Sequence, residues 1–204
     1  MAQGGLLGSM SSMYMEWLER HPLLTKSLTA SSISLLSNLV SQTTTGHSQQ
    51  QAAGKQTPRK GGRAKYNRRE LLKYLLFGLL WVGPSSHFWQ NALEKLIPRR
   101  PRETRGAWAL RKMLCDQLCF GPVGNVVFIS FIGYAIQGLG VGGTVRKVRE
   151  EYVATQMSGW LVWPLASVCN QYYVPIELRV GFLNVVAFFW SMYMMSSKGK
   201  KKAE

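Results

Sequence analysis

Residues 158–197 read SGWLVWPLASVCNQYYVPIELRVGFLNVVAFFWSMYMMSS, and how this stretch is placed decides the fold. Two apolar runs, Tyr152 to Ile176 and Val180 to Ser197, are separated by the short charged link Glu177-Leu178-Arg179. At roughly 1.5 Å of rise per residue, each run is about long enough to cross a hydrocarbon core of ~30 Å as a helix. The pair reads as a membrane hairpin. Tyr172 and Tyr173 are placed to mark where the first run leaves the bilayer, because phenol rings favour the headgroup level. Trp160 and Trp163 are read as packing bulk. Pro164 removes a backbone hydrogen bond and is expected to kink its helix, which hydrocarbon tolerates only where a neighbour or cavity re-satisfies the freed carbonyl.

The 204-residue chain is long enough for one domain. Its near-neutral mean hydropathy averages uncharged runs with intensely basic segments. Five charge-free runs stand out: Ser27 to Gly54, Tyr74 to Leu93, Gln117 to Val145, Tyr152 to Ile176 and Val180 to Ser197. The first is rich in Ser, Thr and Gln and is weak as a span beyond about Val40; the other four are apolar enough to cross. The net charge of +15 falls almost wholly between the runs, in Lys55 to Lys73, Lys95 to Lys112, Arg146 to Arg149 and Lys198 to Lys202. Basic blocks beside membrane segments meet anionic, cardiolipin-like headgroups before they meet nucleic acid, so nucleic acid is disfavoured. Solvated loops that set topology are the other reading of the same charge. Cys115, Cys119 and Cys169 are too few and scattered for a disulfide framework or a zinc site.

The organisation expected is an all-α integral membrane bundle of four or five helices with short amphipathic flanking helices. Residues 1–42 form an N-terminal amphipathic segment and first helix, with Pro22 in its first turn and serines and Ala30 that allow close helix approach. Residues 43–66 are a flexible basic low-complexity insertion, 67–197 the membrane bundle, and 198–204 a basic tail. Glu16 and Glu19 argue against a secretory signal or transit peptide, so targeting is expected to be internal. Gly83-Pro84 is expected to break its helix near mid-depth, and Gly140 to Gly143 to end another. Asp116 should pair with Lys112, one turn away, or face water.

Several spaced residues carry a resemblance. Trp163-Pro164, Asn170, Val174-Pro175, Arg179, Asn184, Trp190 and Tyr193 resemble the C-terminal signature of the Mpv-seventeen and twenty-two-kilodalton peroxisomal membrane protein family. His21-Pro22-Leu23-Leu24-Thr25-Lys26 with Leu39-Val40-Ser41-Gln42 resembles its N-terminal signature. Gly83-Pro84, His87, Trp89 and Leu93 resemble its Gly-Pro-x-x-His-x-Trp-Tyr element, and Lys112 with Asp116-Gln117 and Pro122 a fourth. Pro22, Pro84, Trp89, Trp163, Pro164, Pro175, Trp190 and Tyr193 are thereby assigned to packing. The chain departs from the pattern at Ser37-Asn38, where members usually carry Gly-Asp. It departs again at Gln90 in place of Tyr, Ser167 in place of Gln, and Gln171 where an aromatic commonly stands.

No Ser-His-Asp, Cys-His, HExxH, P-loop or dinucleotide spacing is present, so neither catalysis nor a cofactor or metal is expected. The resemblance implies a channel or pore-like role in small-solute permeability, in the mitochondrial inner membrane or alternatively the peroxisomal membrane. The intramembrane polar groups His87, Asp116, Asn125, Gln137, Asn170 and Asn184, with Arg179 at a mouth, are the candidates for lining it; helix-to-helix hydrogen bonding accounts for the same residues. The rival expectation is an accessory subunit of a larger membrane complex, held through helices, lipids and basic loops. A homo-oligomer is a further possible partner state.

Overall fold

The computed structural model describes residues 13–52 and 67–200, and for 41, 43–52 and 191–200 the backbone alone. Among them every regular element is helical. A short helix α1 (13–20) leads into α2 (Pro22–Ala52). α3 (68–96) and α4 (Arg105–Ile136) follow as a long antiparallel pair. Then come α5 (Gly140–Gly159), α6 (Trp163–Tyr173) and α7 (Arg179–Lys200). Local chemistry sets the starts. Asn67 accepts from the Glu70 amide and Thr104 from the Ala107 amide, capping α3 and α4.

Long-range pairs fix the arrangement. Along α2 and α3, Asn38 meets Glu70, Ser31 meets Gly78, and Ser27 meets Gly83, so the two run antiparallel. Along α3 and α4, Phe77 stacks on Phe131, Trp89 on Phe120, and Glu94 pairs with Lys112. α4 packs its second half on α5 and its first half on α6, and α7 lies beside α2. Lys26 Nζ reaches Ile176 O in the link before α7, so α2 and α7 start from the same end and run parallel.

The interface of α2 and α3 is built from small residues. A methyl placed at Gly83 would come within 2.4 Å of Ser27 Cα, and one at Gly78 within 2.6 Å of Ser31 Cα. The serine-rich run thus permits near-contact of two backbones, as its sequence predicted.

Several local expectations are corrected. Gly83-Pro84 does not break α3. The turn before it, Gly78–Val82, is π-helical, with Gly83 N bonded to Gly78 O, and α-helix resumes at Gly83–Leu96. The wider turn takes up the missing proline N–H and makes room for the ring. α4 repeats the device: π-turn Asp116–Phe120, then Gly121-Pro122 opening the next α segment. Pro164 is likewise not an interior kink. α5 ends at Gly159, a turn occupies 160–162, and Pro164 sits in the first turn of α6, where its N–H is not needed. The run Tyr152 to Ile176 is therefore two helices. Gly140 to Gly143 starts α5 instead of ending α4, which stops at Ile136; Gly138 (φ 69°) and Gly140 (φ 67°) turn the chain in the left-handed region.

The expected insertion 43–66 is helical as far as Ala52, because α2 continues through it; its remainder, 53–66, lies outside the described residues. Of the expected basic tail, 198–200 extend α7 and 201–204 lie outside them. Among the described residues one helix, α4, is both long and apolar enough to cross a bilayer unaided, and Arg179–Trp190 is a shorter apolar stretch. α3 carries charges at both ends and α2 is rich in hydroxyls, so neither matches α4 in apolarity.

Candidate functional site

The interior and exterior of the bundle have exchanged their usual chemistry. Among the described residues seven apolar side chains are buried against sixteen polar or charged ones. Leu161 is 79% exposed and Leu80 71%, while Lys112 and Asn170 are 0% and Gln171 1%. In water this would be unstable, since apolar burial supplies most of the driving force of folding. In lipid it is the stable arrangement, because polar groups find partners only within the bundle.

The interior polar groups follow helical stripes. On α3, Gly83, His87, Gln90 and Glu94 recur at four, three and four residues, and on α2 Ser27, Ser31, Ser34 and Asn38 do the same. The α2 stripe faces Gly83, Gly78 and Glu70 of α3, whereas Gln90 and Glu94 turn toward Gln171 of α6 and toward Lys112 and Arg179. Toward the middle, Trp89 Nε1 donates to Asp116 Oδ1 (2.7 Å) and Gln117 Nε2 to Asp116 Oδ2 (3.1 Å), with Ser167 of α6 near the same carboxylate. Gln171 Nε2 donates to buried Gln90 Oε1 at 2.9 Å, joining α6 to α3. Asn125 Nδ2 donates to Gln156 Oε1 at 2.8 Å, joining α4 to α5.

At the end where α2, α4 and α7 begin, the interior is charged. Glu94 lies between Lys112, whose Nζ is 2.6 Å from it, and Arg179, which also bonds it and donates from Nε to Val174 O. The Lys112 ammonium stands 3.9 Å over the Trp108 ring, whose Nε1 donates to Ile97 O. The 97–104 loop outside is clamped by Glu103, which accepts from the Arg100 amide and from Arg111, while Arg99 donates to its carbonyl. The Arg100 N–H, helped by the Arg111 charge, holds the Glu103 carboxyl below its usual range.

The sequence-predicted residues divide accordingly. Asp116 and Trp89 come together, and Arg179 closes the charged end. Asp116 does not pair with Lys112; each reaches across to α3 instead, which supplies a closer partner than the helical neighbour. Asn170 is fully buried with neither amide atom bonded among the described residues, and the Asn184 Nδ2 is likewise unpaired. His87 is half-buried, its Nε2 at 3.1 Å from Asn91 Nδ2 and its Nδ1 unpaired. Gln137 is exposed just past the last turn of α4. Of the packing positions, Pro84, Trp163, Pro164 and Trp190 are half-buried, Pro22 and Pro175 exposed, and the side chain of Tyr193 lies outside the described residues.

Lys26, Gln90, Glu94 and Gln171 belong to the interior but were not among the predicted site residues. The stripe 83, 87, 90, 94 was the legible signal for two of them. Gln90 and Gln171, two departures from the family pattern, bond to each other.

An open, largely apolar groove of about 530 Å³ lies apart from these groups, between the end of α4 and the start of α5. Phe131, Tyr134, Val141 and Val145 are among the residues lining it.

The profile of the Mpv17 / PMP22 family matches residues 134–195. The chain is similar to PXMP2/4 family protein 3 of Dictyostelium discoideum, 30% identical over 197 residues that cover 97% of this chain and 95% of the relative. Mitochondrial inner membrane protein Mpv17 of Danio rerio is 28% identical over 181 residues, 89% of this chain and 92% of that protein. Peroxisomal membrane protein PMP22 of Arabidopsis thaliana is 28% identical over 181 residues, 89% and 85% respectively. No solved structure matches.

Proposed function

The chain belongs to the Mpv17 / PMP22 family, and on that footing we propose that it is a multi-pass organelle membrane protein whose polar interior gives small solutes a route across the bilayer. The passes are α2, α3, α4, the α5–α6 pair and α7, alternating in direction, which makes five. The α5–α6 pair counts as one because its Asn125, Asp116 and Arg105 contacts descend α4 in register, from Gln156 through Ser167 to Tyr172. The membrane is the mitochondrial inner membrane, with the peroxisomal membrane as the alternative; similar proteins carry both names.

The observation that carries the reading is the inversion of polarity, and above all the amide of Asn170 and the Nδ2 of Asn184, unbonded among the described residues. Buried amides lacking partners cost free energy, so their retention is easiest to explain where water or solute bonds to them. Planar-bilayer recording of the purified chain tests this. Conductance in the wild type that changes with Asn170→Leu is the expected result, and a silent bilayer or an unaltered conductance would remove the proposal.

The open groove beside α4 and α5 favours a second reading, an accessory subunit docked through that face on a larger membrane complex. Native electrophoresis after gentle extraction separates the two, since migration as a monomer or small homo-oligomer counts against docking.

A further inference from the structure

Three buried cations stand at the end where α2, α4 and α7 begin, and two of them, Lys112 and Arg179, share the carboxylate of Glu94. Lys26 and Arg179 are 5% exposed and Lys112 0%. Lys26 has a carbonyl, Ile176 O at 3.4 Å, but no carboxylate in contact among the described residues; the acid that acts on it electrostatically, Glu177, is exposed. Arg179 lies within electrostatic reach of both lysines. Like charges so placed repel, and low-dielectric surroundings strengthen the repulsion. The cluster is one or more negative charges short of balance.

Unused donors lie on the adjoining helices, Asn170 one turn before Val174, whose carbonyl Arg179 holds. The Asn170 amide is fully buried and unbonded, and sits on α6 between Ser167 and Tyr172, the residues that touch α4. The Asn184 Nδ2 is unbonded on α7, little more than one turn beyond Arg179. A guanidinium, two ammonium groups and amide N–H donors form the set that binds oxyanions. Glu94 keeps 29% of its side chain exposed, which leaves the cluster approachable from that side.

We propose that Lys26, Lys112 and Arg179, with Asn170 behind them, bind a small oxyanion: the phosphate or carboxylate group of a soluble solute, with Glu94 as the internal carboxylate it competes against. This deepens the pathway reading by giving the solute a charge. It rests on that reading only for the route, since binding is measured without conduction.

The test uses the full-length, delipidated chain in neutral detergent, with inorganic phosphate as probe and thermal unfolding as readout, against chloride at equal ionic strength. Phosphate should raise the wild-type midpoint in a saturable way. Lys26→Gln keeps a donor for Ile176 O and should weaken apparent phosphate affinity about tenfold, the usual worth of one charged hydrogen bond. Glu94→Gln should bind phosphate more tightly than the wild type, which a purely structural role for Glu94 does not predict. If Glu94→Gln fails to fold, Lys26→Gln alone decides.

A wild-type midpoint unmoved by phosphate overturns the proposal, as does an equal response in Lys26→Gln. Stabilisation by cardiolipin-doped bicelles without any by phosphate assigns the cluster to lipid headgroups and also overturns it. A silent bilayer with phosphate binding intact removes the conduction reading and leaves this site standing.

Discussion

Two of the three π-helical turns among the described residues, Gly78–Val82 in α3 and Asp116–Phe120 in α4, use one device in opposite surroundings. Both precede Gly-Pro, and both absorb the proline by letting the glycine N–H reach back five residues. At the first, Gly78 and Gly83 press on the backbone of α2, and no side chain fits between. At the second, a methyl at Gly121 would meet only Asp116 O at 3.6 Å, and one at Gly124 nothing within 4 Å; the neighbour is held by Asp116 reaching Trp89. The same irregular turn thus serves close packing in α3 and side-chain bonding in α4. Glycine is needed for space in the first case, whereas Gly121 has an ordinary helical backbone (φ −56°, ψ −52°) with room for a side chain.

The largest effect that would break this comparison is at the first turn. Gly83→Ala forces its methyl onto Ser27 Cα and should cost about 3 kcal/mol, at the upper end of overpacking, by unfolding in detergent. A loss no larger than that of Gly121→Ala would show that the two turns are alike. Next, Asp116→Ala strands the half-buried Trp89 and buried Gln117 donors and should cost about 2 kcal/mol, while Asp116→Asn keeps an acceptor and should cost less.

A double-mutant cycle of Gln90→Leu and Gln171→Leu sharpens the contrast further. The coupling should be about 1 kcal/mol, and strict additivity would deny that the pair is bonded. The smallest effect is expected at Gly124→Ala, which enters open space and should be neutral or stabilising by roughly 0.5 kcal/mol, again by thermal unfolding.

The helices were legible in the sequence because apolar run length and interrupting charge are local properties. Tyr173 is exposed at the end of α6, and Arg105 stands over the Tyr172 ring. What proline does was not legible. Its effect depends on whether the preceding turn can widen, as before Pro84, or the chain can restart, as at Pro164. Pairing across helices was hidden for a related reason. Each π-turn adds a residue and rotates everything beyond it by about 100°, so facing residues cannot be counted off from a regular period. Lys112 looked like the partner of Asp116 because four residues separate them, yet the decisive neighbours, Glu94 and Trp89, are set by the depth at which α3 and α4 meet. Gln90 and Gln171 were visible only as separate departures; the fold makes them one.

Asn38 carries a further meaning. Its Nδ2 donates to Glu70 Oε1 at 2.9 Å, and Gln42 in turn donates to its oxygen. An acid at this position, as in the family pattern that the chain resembles, would set two carboxylates face to face and remove the donor that Glu70 accepts from. The amide at 38 and the acid at 70 are therefore matched in charge, and exchanging Asn38 alone would turn an attraction into a repulsion.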